Sequence, residues 1–70
     1  MNKVLGKDLA VGNTYYDQPG ADAIKFVLQR LTDSAICMET DERDVPYAIN
    51  EDGTYHFSKR AEANQYWYEL

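Results

Sequence analysis

The chain has 70 residues, of which 44% are apolar and 13% aromatic, and its net charge is −5. This length supplies one domain, residues 1–70, and excludes a second core, while the apolar content excludes an intrinsically disordered chain. The acidic balance makes phosphate backbones and anionic membranes poor partners. Because the core of so short a chain is small, a homodimer that buries further surface is an alternative to a monomer.

Two features that the sequence lacks, an apolar targeting or spanning segment and a set of paired cysteines, indicate the cellular compartment. The first residues, MNKVLGKD, have no apolar stretch of the signal-peptide type, and no run approaches the roughly 18 apolar residues of a spanning helix. Cys37 is the only cysteine, whereas a secreted domain of this size usually carries several. We therefore expect a cytoplasmic protein without a membrane segment.

Turn signals recur at short intervals along the chain, at Gly12-Asn13, Pro19-Gly20, Thr32-Asp33-Ser34 and Asn50-Glu51-Asp52-Gly53. The runs between them are short and rich in aromatic and β-branched residues, which is typical of a small all-β fold. The pattern predicts strands at 13–17, 23–31, 35–40, 46–50, 54–58 and 65–69.

The second run can be interpreted in two ways. Ile24, Val27, Leu28 and Leu31 fit one face of a helix, which would make the fold α+β with a helix at about 22–31. The following segment alternates in polarity, and a short Thr32-Asp33-Ser34 connection would pair the two as a hairpin. This favours a strand.

The last third of the chain carries a hairpin signal and a second ambiguity. Asn50–Thr54 reads as a loop with Gly53 at a positive φ, joining 47–49 to 55–57. Ser58 could cap a helix from Lys59, although Gln65–Tyr68 is better strand material. Five or six short antiparallel strands can hide one face only by curling, so we expect an SH3-like or OB-like barrel.

Two stretches resemble a group of small phage and bacterial β-barrel accessory proteins. They are Val11-Gly12-Asn13-Thr14-Tyr15-Tyr16 and the run from Phe26 to Met38. The resemblance covers about half of the chain. It implies a small barrel and a phage-encoded accessory protein acting in the host cytoplasm, and it brings no active site. Beyond Thr40 there is no match.

The negative charge is concentrated in residues 33–52, which hold seven acidic residues and one basic residue, a net −6, while the rest of the chain has a net +1. Such a segment can be solubilising surface, or it can imitate the phosphates of a nucleic-acid strand. We favour a non-enzymatic protein-binding module, an inhibitor or modulator that meets a basic, nucleic-acid-handling protein. The predicted contact residues are Glu39, Asp41, Glu42, Asp44, Glu51 and Asp52, with Tyr47 and Trp67 as aromatic anchors.

A different function is predicted if the aromatic residues are exposed. Tyr15, Tyr16, Tyr66 or Trp67 could stack single-stranded bases, with Lys25, Arg30, Lys59 and Arg60 on the phosphates. This needs the basic residues on one face, remote from the acids. A structural subunit of a larger particle is a third alternative.

No residue set specifies a reaction. Cys37 lies in an apolar strand and His56 in a hairpin, so we expect an inert thiol rather than a nucleophile with its base. Asp41-Glu42-Arg43-Asp44 lacks the ligand order of a calcium loop, and the separate glycines form no phosphate loop. We therefore expect no enzyme activity, no metal and no cofactor.

Overall fold

The computed structural model describes residues 1–70 and contains six strands that form one antiparallel sheet. A 3₁₀ turn, Gly6–Asp8, follows the first strand, and a single-turn helix, α1 (Lys59–Glu62), precedes the last. The strands are β1 (Asn2–Leu5), β2 (Thr14–Tyr16), β3 (Lys25–Leu31), β4 (Ala35–Glu39), β5 (Tyr55–Ser58) and β6 (Tyr66–Glu69). Their order in the sheet is β1-β6-β2-β3-β4-β5, so the last strand inserts between the first two.

The core lies on the inner face of this sheet and is dominated by aromatic rings. Phe26 is fully buried, and its ring centroid lies 5.7–6.1 Å from those of Tyr47, Tyr55, Phe57 and Trp67. Aromatic pairs at such distances stabilise a core beyond the area they bury. The remaining buried core side chains are aliphatic or tyrosine: Leu9, Tyr15, Leu28, Ile36 and Met38.

The prediction of an all-β fold with five or six antiparallel strands is confirmed: the sheet has six strands, five of them at predicted positions. It curls until Phe57 of β5 and Trp67 of β6 meet edge to face, with 5.0 Å between ring centroids. The sheet is nevertheless not closed, because β1 and β5 remain its two edges. The expected barrel is therefore realised as an open, strongly curled sheet in which the β5 edge meets β6, the strand beside the other edge, through side chains.

The second run is a strand, and the helix at about 22–31 is excluded. β3 pairs with β4 as a hairpin, and the Thr32 hydroxyl accepts the Ser34 and Ala35 amides in the turn. The register shifts between Leu28 and Arg30. This bulge at Gln29 leaves two successive residues, Gln29 and Arg30, exposed.

The predicted strand at 46–50 is wrong in extent. Only Ile49 forms a bridge, with Tyr55, and the His56 amide donates to the Ala48 carbonyl. The hairpin turn itself is present: Gly53 has φ of 88°, and the Asn50 amide donates to the Thr54 carbonyl. Pro46 has no amide hydrogen and Asp44 has φ of 58°, so the chain before this turn cannot run as a regular strand.

Both predictions for the C-terminal residues, a helix after Ser58 and a strand near Gln65–Tyr68, are present in the structure. Ser58 caps α1 by accepting the Ala61 amide, and the chain then returns as β6. β1 was not predicted, and it pairs only with β6.

Candidate functional site

Four of the predicted contact residues lie beside the outer face of β3. They are Glu39, Asp41, Glu42 and Asp52. The Glu42 carboxylate accepts the Lys25 amide at 2.9 Å, and Glu39 accepts a hydrogen bond from the Gln29 side chain. Glu39 and Asp41 line a groove of about 230 Å³ beside β3. Asp52 reaches the other end of the strand. The four carboxylates therefore follow roughly 17 Å of one strand, at about 3.3 Å per residue.

Asp52 is the most strongly held of these acids. Its carboxylate forms an ion pair with Arg30 at 3.0 Å and accepts the Thr54 hydroxyl and amide. The two Thr54 hydrogen bonds and the Arg30 contact lower the pKa of Asp52 from 3.8 to about 2. Arg30–Asp52 is the single ion pair of the molecule.

Asp44 and Glu51 complete the predicted acidic set, and neither forms an ion pair with β3. Both are exposed, Asp44 at a position of positive φ and Glu51 in the turn before Gly53. We refer to Glu39, Asp41, Glu42, Asp44, Glu51 and Asp52 together as the acidic surface. All six of its side chains lie in exposed residues.

The two predicted aromatic anchors have different positions. Tyr47 is 36% exposed, its ring packs on Phe57 with 4.9 Å between centroids, and its hydroxyl donates to Asp17 at 2.8 Å. Burial, followed by the Asp17 hydrogen bond, raises the pKa of Tyr47 to about 12. Trp67 is only 3% exposed. Its indole belongs to the core because the inward face of β6 packs on Phe57, so the prediction of Trp67 as a surface anchor is not supported.

A row of basic and aromatic side chains crosses the outer face from β1 to β3 and ends at Lys25, which also lines the groove of Glu39 and Asp41. Lys3, Tyr68, Tyr16 and Lys25 are successive register partners on β1, β6, β2 and β3. The Lys3 ammonium also lies 5.1 Å from the centroid of the Tyr66 ring. Sequence reasoning named Tyr16, Tyr66 and Lys25 but missed Lys3 and Tyr68. Their proximity depends on β6 inserting between β1 and β2, and no local pattern encodes that.

The other residues considered for nucleic-acid binding do not join this row. Tyr15 is 1% exposed and lies in the core with Trp67. Arg30 is paired with Asp52, and the Lys59 ammonium donates to the Thr32 carbonyl. Arg60 lies on α1. The basic residues are therefore divided between separate parts of the surface.

Cys37 and His56 are cross-strand register partners on β4 and β5. Cys37 is 2% exposed, and its thiol accepts hydrogen bonds from Arg30 at 3.4 Å and from Asn50 at 3.7 Å. No hydrogen bond joins the thiol to the imidazole. The register thus brings the pair closer than the sequence suggested, while the sulfur is engaged by other side chains.

No group of three or more His, Cys, Asp or Glu side chains is arranged to hold a metal ion. Neither helix has the length and apolarity that crossing a membrane requires. Comparisons with protein-family models, curated proteins and solved structures gave no match.

Proposed function

We propose that this protein is a non-enzymatic protein-binding module that meets a basic, nucleic-acid-handling partner through its acidic surface. It acts in the cytoplasm as an inhibitor or modulator, in the manner of a phage-encoded accessory protein. Carboxylates ordered along a strand occupy the partner's basic groove in place of phosphates. Association by such a surface is fast and sensitive to salt.

The observation that carries the proposal is the uncompensated charge of the acidic surface. Of its six carboxylates, only that of Asp52 has a cationic partner. The others are exposed, and two of them accept hydrogen bonds from neutral donors only. A surface that only maintained solubility would serve equally well with its charges dispersed. Concentrated and unpaired charge instead favours a partner that supplies the counter-charges.

Exposed apolar residues within the same segment support binding to a protein. Ile49 is 61% exposed and Tyr47 is 36% exposed, between acids at Asp44 and Glu51. Protein interfaces combine apolar contacts with a charged rim, so these two residues add apolar contact area to the charge of the acidic surface.

The experiment compares the wild-type protein with the variant Asp41→Lys/Glu42→Lys/Asp44→Lys as immobilised bait in host lysate. The lysate is applied at about 50 mM and about 500 mM salt, which brackets the range over which exposed charges become screened. We expect basic proteins to be retained by the wild type at low salt, released at high salt, and not retained by the variant.

The matched control is Asp8→Lys/Asp22→Lys/Asp33→Lys, which makes the same change in net charge at three exposed positions outside the acidic surface. It should retain the same partners as the wild type. The proposal fails if nothing is retained, if retention is undiminished at high salt, or if the control loses its partners as the first variant does.

The basic and aromatic row on the outer face favours a second candidate function, binding of single-stranded nucleic acid. Tyr16 and Tyr68 are adjacent, with a lysine at each end of the row. Aromatic side chains stack bases of any sequence, and flanking lysines neutralise phosphates. The net charge of −5 weighs against this candidate.

Fluorescence anisotropy of a labelled oligothymidylate at low salt tests the second candidate. Because Trp67 is buried, its emission would not report stacking on this face. Binding that is lost in Lys3→Glu/Lys25→Glu and kept in Lys59→Glu/Arg60→Glu would support it. No change in anisotropy for the wild type would exclude it.

A further inference from the structure

A cleft of about 440 Å³ lies where strand β5 meets strand β6. Its principal lining residues come from the end of β2, the 40–54 connection, β5, α1 and β6. We call it the aromatic cleft and define it by Asp17, Tyr47, Phe57, Glu62, Tyr66 and Trp67. Only Tyr47 belongs to the segment from which the acidic surface is drawn.

The lining side chains form a continuous series of contacts between two carboxylates. Asp17 accepts the Tyr47 hydroxyl at 2.8 Å, and the Tyr47 ring packs on Phe57. Phe57 meets Trp67 edge to face, and the Trp67 indole donates to Glu62 at 3.1 Å. A wall of three aromatic rings is thus bounded by a carboxylate at each end.

Neither carboxylate forms an ion pair, although the Lys3 ammonium lies over the ring of Tyr66, one of the cleft residues. Asp17 and Glu62 are half-buried, and no lysine or arginine lines the cleft. Glu62 uses one oxygen for Trp67, and its other oxygen has no hydrogen-bond partner within the protein. Aromatic faces and carboxylates both attract cations, and partial burial strengthens both effects.

We infer that the aromatic cleft binds a lysine or arginine side chain of a protein partner. The aliphatic part of that side chain packs on Tyr47, the exposed ring of the wall, and its charged end lies in the combined field of Asp17 and Glu62. This inference rests on the proposed function, because a basic protein surface supplies such side chains next to the groove that the acidic surface would occupy. It adds a specific pocket to what would otherwise be attraction of charge.

The test titrates the intact protein with the blocked tripeptides Ac-Gly-Lys-Gly-NH2 and Ac-Gly-Arg-Gly-NH2. The matched probe is Ac-Gly-norleucine-Gly-NH2, which keeps an aliphatic stem and lacks the charge. Trp67 is the only tryptophan, so its fluorescence and its indole N–H resonance both report on this cleft. We expect both signals to shift when a cationic peptide is added at concentrations up to about 10 mM, the range in which a single side chain binds. The norleucine peptide should cause no shift.

Two pairs of variants locate the binding. Glu62→Gln and Asp17→Asn remove charge while keeping a side-chain acceptor, and each should weaken binding by about fivefold. Glu69→Gln and Asp22→Asn are the matched controls outside the cleft and should leave binding unchanged. Ala61→Leu fills the cleft from exposed α1 without altering charge and should abolish binding. Thermal unfolding of each variant verifies that it folds.

Three results would overturn the inference. The norleucine peptide could bind as tightly as the lysine peptide, or Trp67 could respond to neither cationic peptide; either result would exclude a charged side chain as the ligand. In a separate titration, tetramethylammonium could bind at least as tightly as both cationic peptides. The third would assign the cleft to small quaternary ammonium compounds. None of them affects retention of partners by the acidic surface, and the Asp41→Lys/Glu42→Lys/Asp44→Lys variant leaves the cleft intact, so the two proposals fail separately.

Discussion

The two sides of strand β3 differ in how their contacts are made. On the inner side, Phe26 and Leu28 are fully buried, and Phe26 touches four other rings. On the outer side, the Lys25 amide, Gln29 and Arg30 each hold one residue of the acidic surface through an exposed contact. Stability should therefore depend on the inner side, and the charge on the outer side can be changed at little cost to folding.

Replacing Phe26 with alanine should have the largest effect, because it removes the ring that joins strands β3, β5 and β6. We expect the free energy of unfolding to fall by about 4 kcal/mol, most of the stability of a domain of this size. Urea denaturation followed by Trp67 fluorescence measures it. The matched variant on the outer side of the same strand, Val27→Ala, should cost about 1 kcal/mol or less. Equal losses would contradict the comparison.

Gly6→Ala should have the next largest effect. A Cβ at Gly6 would lie 1.9 Å from the Glu62 carbonyl oxygen, and the Gly6 amide donates to the Gln65 carbonyl at 2.9 Å. Backbone atoms cannot move aside as a flexible side chain does, so we expect a loss of about 3 kcal/mol.

The control for Gly6 is Gly12→Ala. Gly12 has φ of 92° and open space around it, so the loss there should be only about 1 kcal/mol of backbone strain. Thermal unfolding of both variants ranks them. A smaller loss at Gly6 than at Gly12 would show that the chain ends are less closely packed than the structure has them.

Tyr47→Phe tests the contact between the 40–54 connection and the residues on the inner side of the sheet. Loss of the hydroxyl bond to Asp17 should cost only about 0.5 kcal/mol, since the bond is partly exposed. The alkaline behaviour is more informative. Because folding raises the pKa of Tyr47 from 10 to about 12, its neutral form contributes stability that is complete below pH 10 and lost as pH rises through 12.

Ultraviolet titration of tyrosinate should accordingly show a component near pH 12 that is lost in Tyr47→Phe. Titration of Tyr47 near pH 10 in the folded protein would place its hydroxyl away from Asp17.

Asp52 should give the smallest effect on stability, and this contribution should be lost only in acid. Its pKa of about 2 lies below the unfolded value of 3.8, so its contribution is present above about pH 3.8 and lost as pH falls through 2. Thr54→Val should move the pKa of Asp52 back toward 3.8, as measured by NMR titration of its side-chain carbon. Thr14→Val, on β2, should leave it unchanged.

The strands that hide a face were predictable from local pattern. Alternation placed Phe26 and Leu28 together, and the Thr32–Ser34 turn fixed the hairpin to β4. β1 could not be predicted in this way, because Asn2–Leu5 has few strand-forming residues and owes its structure to β6. The segment 46–50 had strand-like composition, but an isolated bridge at Ile49 is all that its backbone allows.

The candidate sites divide along the same line. Charge segregation was visible in the sequence, whereas the position of four of the acidic residues beside β3 was not. Which side of β6 faces inward was left open, and only packing against Phe57 decides that Trp67 is buried and Tyr66 exposed. Asp17 and Glu62 were not predicted as site residues because they are distant in sequence. They meet in one cleft only because the sheet curls.

The pairing of β1 with β6 has a consequence for the kinetics of folding. β1 has no other neighbour, so forming it closes a loop that contains every other strand. Such closure carries a larger entropic cost than a hairpin and places the domain among slowly folding, high contact-order proteins. During translation, Asn2–Leu5 must remain unpaired until Tyr66–Glu69 has left the ribosome, whereas the β2–β3–β4 meander can assemble earlier.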